Sequence, residues 1–122
     1  MSQFILIAYG GAFGALSRFL LSNFIKNFLN NSLYGTFCVN ILGCFFIGYL
    51  ISLGYAKNIS ESLIKYFLII GFLGSFTTFS AFSIEAIELI ASNKYFLLII
   101  YVSSSIFFCI LAAYIGISLN KF

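Results

Sequence analysis

The chain has 122 residues, of which 62% are hydrophobic, 20% aromatic and only 7% charged, with a net charge of +3. Soluble domains carry about 25% charged residues, so water is excluded as the solvent of this fold and the chain reads as an integral, all-α membrane protein. It has no histidine, and its only carboxylates are Glu61, Glu85 and Glu88, which leaves general acid–base catalysis without its usual groups; the basic residues are scattered and form no stripe for nucleic acid.

The charged positions cut the sequence into uncharged windows of about the 20 apolar residues that cross a bilayer core. They predict a single transmembrane domain, 1–122, with helices at about 3–28, 34–56, 60–91 and 94–120. Met1-Ser2-Gln3 leads straight into the first span, with no basic region before a short apolar core, so this stretch reads as helix one rather than a signal peptide. Uninterrupted apolar runs such as Phe67-Leu68-Ile69-Ile70 exclude the alternation of a β-barrel strand.

Helix one carries Gly10-Gly11-Ala12-Phe13-Gly14-Ala15, in which Gly10 and Gly14 form a small face for close helix approach. Arg18 follows one turn later. Its permanently charged guanidinium must snorkel, pair, or line an aqueous vestibule, where it would concentrate anions. Asn30-Asn31-Ser32 forms the first turn.

Helix two places Thr36 and Asn40 four residues apart on one face. The Asn40 amide offers two donors and an acceptor, for an interhelical hydrogen bond or for an ion. Lys57-Asn58-Ile59-Ser60 combines a turn with an N-cap at Ser60.

Helix three contains Gly71-Phe72-Leu73-Gly74-Ser75-Phe76-Thr77-Thr78-Phe79-Ser80-Ala81-Phe82-Ser83, a poor continuous helix in which the backbone is expected to unwind. Unwound backbone at membrane depth is tolerated only when buried in protein or lining a cavity, where its carbonyls can coordinate a cation. Phe79 and Phe82 project to one side, and aromatic edges carry partial positive charge; the alternative is ordinary core packing.

After the turn Ser92-Asn93-Lys94, helix four sets Tyr101 and Ser105 on a shared face. Membrane serines also bond back to the preceding turn. Cys38, Cys44 and Cys109 are odd in number, lie within the spans and match neither a Cys-x-x-Cys spacing nor a disulfide framework; they read as small apolar packing residues.

Lys57, Lys65 and Lys121 fall on one side of the membrane with the N-terminus, and Lys26 and Lys94 on the other. So weak a bias permits both orientations, which opens the way to an antiparallel dimer, although a single orientation with a weak signal is also compatible. Four helices can scarcely enclose a polar path alone, so a homo-oligomer is expected.

Three motifs in order, Gly10-Gly11-x-x-Gly14-Ala15-x-x-Arg18, Gly35-Thr36-x-x-x-Asn40-x-x-Gly43 and Gly71-x-x-Gly74-x-x-Thr77-Thr78-Phe79-Ser80-x-Phe82, give a pattern that resembles the fluoride channel family of small four-helix bacterial membrane proteins, once labelled after camphor resistance. The resemblance covers essentially the whole chain. It implies a dual-topology antiparallel homodimer in the inner (plasma) membrane, with two antiparallel pores that export fluoride passively. It also implies a structural sodium ion held by main-chain carbonyls of Gly74 and Thr77. Carried over by motif, the pore-facing residues are Asn40, Phe79 and Phe82, the vestibule residue is Arg18, and a hydroxyl track falls on Ser80 and Ser83, with Tyr101 and Ser105 joining from helix four. Two positions depart from the family pattern: Ser75 where a second glycine is common, which could stiffen the break, and Ala81 where threonine is common.

Two other readings compete. A small multidrug-resistance-type transporter would need a proton-exchanging carboxylate in helix one, where this chain has Arg18 and no acid. A structural subunit of a membrane complex would use its polar positions for packing alone.

Overall fold

In a computed structural model, which describes residues 2–56 and 62–120, the spans are α1 (Ser2–Leu29), α2 (Ser32–Ala56), a third span in two pieces, and α5 (Tyr95–Ser118). The third begins as α3 (Leu63–Leu73), runs on through the single turn Gly74–Phe76, and resumes as α4 (Phe79–Ala91). Four segments are thus long and apolar enough to cross a membrane. The expected N-cap Ser60, together with Lys57, Glu61 and Lys121, lies outside the described residues.

Burial runs opposite to that of a soluble domain. Phe4, Phe28, Phe96 and Tyr114 face outward, while Thr36, Ser52, Thr78, Glu85 and Ser105 are buried. Lipid solvates apolar side chains at no cost, whereas polar groups there must find protein partners. The apolar core is correspondingly small: Val39, Leu73 and Phe76 form one cluster, and Phe82, Leu89 and Tyr101 another.

Both inter-span turns among the described residues are set by asparagine. Asn30 and Asn93 have φ of 54° and 56° and are the positive-φ non-glycine residues described; asparagine tolerates the left-handed region better than other residues with a side chain. Asn31 accepts the Leu33 amide at 3.0 Å, capping α2, and Lys94 N donates to Leu89 O at 2.9 Å, closing α4.

Glycines act here by closeness of approach. A Cβ at Gly10 or Gly14 would collide with the carbonyls of Phe67 and Phe72 on α3, so α1 lies directly on α3 backbone. On the other side of the bundle, Gly48 meets the Ala113 carbonyl and Gly116 meets the Phe45 carbonyl, which brings α2 and α5 together along their length. Their contacts advance in the same direction along both chains, from Phe37 against Phe108 to Gly48 against Ala113, so α2 and α5 run parallel.

α3 is wound as a π-helix, and its wide turn ends where the Gly74 amide reaches both Ile69 O and Gly71 O; such windings are rare and cluster at functional sites. The expected unwinding across 71–83 is confined to two residues. Thr77 (φ −76°, ψ 153°) and Thr78 (φ −146°, ψ 120°) are extended, and α4 starts immediately after them with Thr78 as its N-cap.

Candidate ion pathway

The break is held from α2. Asn40 Nδ2 donates to Thr78 O at 2.9 Å and Asn40 Oδ1 accepts from Thr78 N at 2.8 Å. The Thr78 hydroxyl accepts the Ala81 amide at 3.2 Å and lies 3.1 Å from Ser80 Oγ. In an unbroken helix the amides of Thr78 and Ala81 would donate to the carbonyls of Gly74 and Thr77, four residues back. Both are diverted, so the carbonyls of Gly74 and Thr77 lose their helical donors.

Asn40, Cys44, Thr78, Phe79, Phe82, Ser105, Ile106 and Cys109 line a cavity of about 230 Å³. Phe79 is 78% exposed, whereas Phe82 is buried. Their ring centroids are 5.3 Å apart, and Phe82 is a further 5.3 Å from Tyr101. Ser105 is 7% exposed, and its Oγ has no hydrogen-bond partner among the described residues. An unsatisfied buried hydroxyl costs about 1–3 kcal/mol, so its persistence at a cavity wall points to a ligand. Asn40 has given one Nδ2 hydrogen to Thr78, which leaves the second as a donor. A hydroxyl, an amide hydrogen and two aromatic rings thus meet at one cavity whose wall carries no charged side chain, a donor-rich setting suited to a small anion.

A second cavity, of about 220 Å³, is lined by Arg18, Phe19, Ser22, Thr36, Val39, Thr78 and Ala81. Thr78 walls both cavities, so the break separates the arginine chamber from the phenylalanine chamber. The structure therefore brings Arg18, Asn40, Phe79, Phe82 and Ser105 around one backbone break.

The remaining candidate hydroxyls lie elsewhere. Ser80 lines an open groove with Lys26, Ser32, Glu85 and Glu88. Ser83 donates back to Phe79 O at 2.9 Å. Tyr101 lines a separate hollow beside Leu33, Tyr34 and Phe37, and its hydroxyl donates to Glu85 Oε2 at 2.6 Å. The other Glu85 oxygen accepts from Thr36 Oγ1 at 2.8 Å. Sequence reasoning missed this buried carboxylate, 8% exposed, because Glu85 had served only to mark the end of an uncharged window; a carboxylate with six further helical residues after it was the available signal. Thr78, absent from the candidate residues, was present in the motif itself.

The parallel register of α2 and α5 places residues 65 apart in sequence opposite one another. Thr36 and Tyr101 share Glu85; Asn40 and Ser105 share the cavity, as do Cys44 and Cys109; Gly48 meets Ala113. Beyond these, Ser52 reaches the Gly116 carbonyl at 3.5 Å and accepts from Asn120 Nδ2 at 2.9 Å.

The sequence profile of the family described as CrcB-like protein, Camphor Resistance (CrcB), matches residues 5–117. Similar proteins include one from Magnetococcus marinus, 38% identical over 120 residues covering 98% of both chains, and one from Campylobacter jejuni, 37% identical over 122 residues covering 99% of both. A third, from Dehalococcoides mccartyi, is 43% identical over 97 residues, covering 79% of this chain and 75% of its own. All three carry the name fluoride-specific ion channel FluC. With almost every described residue inside the match and the three motifs gathered around one helix break, the chain is a multi-pass membrane protein of the CrcB-like family.

Proposed function

We propose that the chain is a passive fluoride channel of the inner (plasma) membrane, working as an antiparallel homodimer with one pore per protomer. The observation that carries this reading is the partnerless Ser105 hydroxyl in the wall that also holds Asn40, Phe79 and Phe82. Fluoride is small and tightly hydrated, so a path must replace its water with donors while binding weakly enough to release. Ser105 Oγ–H, the spare Asn40 amide hydrogen and the positive ring edges supply such donors, and Arg18 beyond Thr78 raises the local anion concentration. The names of the relatives support the choice of ion.

The test is efflux from liposomes holding the purified protein, followed with a fluoride electrode. Fluoride should leave rapidly and chloride should not. No fluoride flux would return the polar residues to packing and favour the structural-subunit reading. C-terminal reporters should appear on both sides of the membrane, and a uniform orientation would remove the antiparallel dimer.

The Gly74 and Thr77 carbonyls fit sodium, because a hard cation takes oxygen ligands and the amides that would bond them in a continuous helix go to side-chain oxygens instead. Sodium bound there would neutralise exposed carbonyl dipoles and tie two broken helices together. Gly74 is exposed in the single chain, which leaves its carbonyl accessible to an ion shared with a second copy. Dimer stability should fall when sodium is replaced by a large organic cation, and indifference to that exchange would remove the ion from the scheme.

A further inference from the structure

One pair of facing residues is not used by the conduction scheme. Cys44 on α2 and Cys109 on α5 both line the cavity that holds Asn40 and Ser105. Their meeting follows from the parallel register, in which they stand one helical turn beyond the Asn40 and Ser105 positions. Gly48 against Ala113, one turn further on, holds the two helices at close range there. Both cysteines are half-buried and free, as is Cys38, which lies outside this cavity wall.

We propose that Cys44 and Cys109 form a two-coordinate site for a thiophilic d10 metal ion, mercury(II) above all, and that a metal bound there stops conduction. Soft thiolates select soft metals. Zinc is ill-suited, because it takes four ligands and the described residues hold no group of three or more histidine, cysteine, aspartate or glutamate side chains placed to share a metal. Two sulfurs do satisfy a linear d10 ion. The charge balance favours a divalent one: each thiol loses its proton to solvent, two S–Hg bonds form, and the product is neutral. Phe79, Phe82 and Ile106 make much of the surrounding wall apolar, where a neutral complex avoids the cost of burying charge. The predicted block rests on the reading of this cavity as the ion path; the metal site does not.

The experiment adds one equivalent of mercuric chloride per chain to the reconstituted protein. It then measures mercury retained after desalting, thiols titratable in denaturant, and fluoride efflux. One mercury should be retained, the titratable thiols should fall from three to one, flux should be lost, and excess dithiol should restore it. Cys44→Ser and Cys109→Ser, each compared with its own mercury-free flux, should escape the block and consume one thiol per mercury at most. Cys38→Ser should behave as the parent chain. Loss of one thiol per mercury in the parent, or equal retention and block in the serine variants, would overturn the site. Should a serine variant not conduct at all, the thiol count still decides. Mercury held by both thiols with flux unchanged would leave the metal site standing and remove this cavity from the conduction path.

Discussion

The carboxamide of Asn40 and the peptide of Thr78 form a closed two-bond ring, 2.9 and 2.8 Å long, across α2 and the interruption of the third span. A side chain here takes the place of the helix-ladder bonds that Thr78 gives up, while the Thr77 amide still reaches Leu73 O at 3.0 Å.

Asn40→Asp should therefore act in two ways. It removes the Nδ2 donor from Thr78 O and sets a carboxylate oxygen against it, and an unmade bond at a buried acceptor costs about 1–3 kcal/mol. It also places negative charge on the anion's route. Fluoride efflux should fall by at least about tenfold, the equivalent of about 1.4 kcal/mol of barrier, with a lowered melting temperature. Parent-level flux in an intact oligomer would take Asn40 off the route.

Ser105→Ala separates packing from conduction because the two roles predict opposite signs. Its hydroxyl has no partner among the described residues, so on structural grounds removal is neutral or stabilising by about 1 kcal/mol. Flux should nevertheless drop. Measuring thermal stability and efflux on one preparation checks both, and unchanged flux would make Ser105 an idle wall residue.

Phe79→Ile and Phe82→Ile should both abolish conduction, since the branched aliphatic keeps the cavity dry but lacks a ring edge. Their stabilities should differ. Phe79 is 78% exposed, and its loss should stay within about 0.5 kcal/mol; Phe82 packs against Tyr101, and its loss should cost more. Retained flux in both variants at matched protein content would return the pair to packing.

Gly14→Ala and Gly54→Ala should move stability in opposite directions. A Cβ at Gly14 strikes the Phe72 carbonyl, whereas one at Gly54 meets nothing within 4 Å among the described residues. The first should destabilise by about 1–3 kcal/mol or prevent folding, and the second should gain about 0.5–1 kcal/mol from improved helix propensity. Thermal melts of the two proteins in one detergent decide it.

The spans were legible because charge is so rare here that, Arg18 and Glu85 apart, the charged residues fall near a boundary, and the turns because Asn30 and Asn93 announce them. The same habit hid Glu85, which ended a window on paper but lies inside the third span, where Thr36 and Tyr101 hold it. The break was legible as a region rather than as two residues, since Asn40, 38 positions away, confines it. Ser83 and Tyr101 turned from the cavity for partners that helix-face arithmetic cannot rank: a carbonyl one turn back and a carboxylate on another helix. Cys44 and Cys109 read as packing residues because their meeting depends on the register between α2 and α5, which neither helix encodes alone.

That register has a geometric consequence. A stride of four residues advances about 6 Å along a helix and overshoots a full turn by about 40°. The stripe from Thr36 through Asn40, Cys44 and Gly48 to Ser52 is thus a spiral stair. Its first steps face the third span, at Glu85 and Thr78, and its last faces the end of α5, at Gly116 and Asn120. Depth in the membrane and compass direction are locked together, so chemistry altered on one tread reaches one height and one neighbour, and the ion route can be retuned step by step while the glycine landing below it keeps the two helices joined.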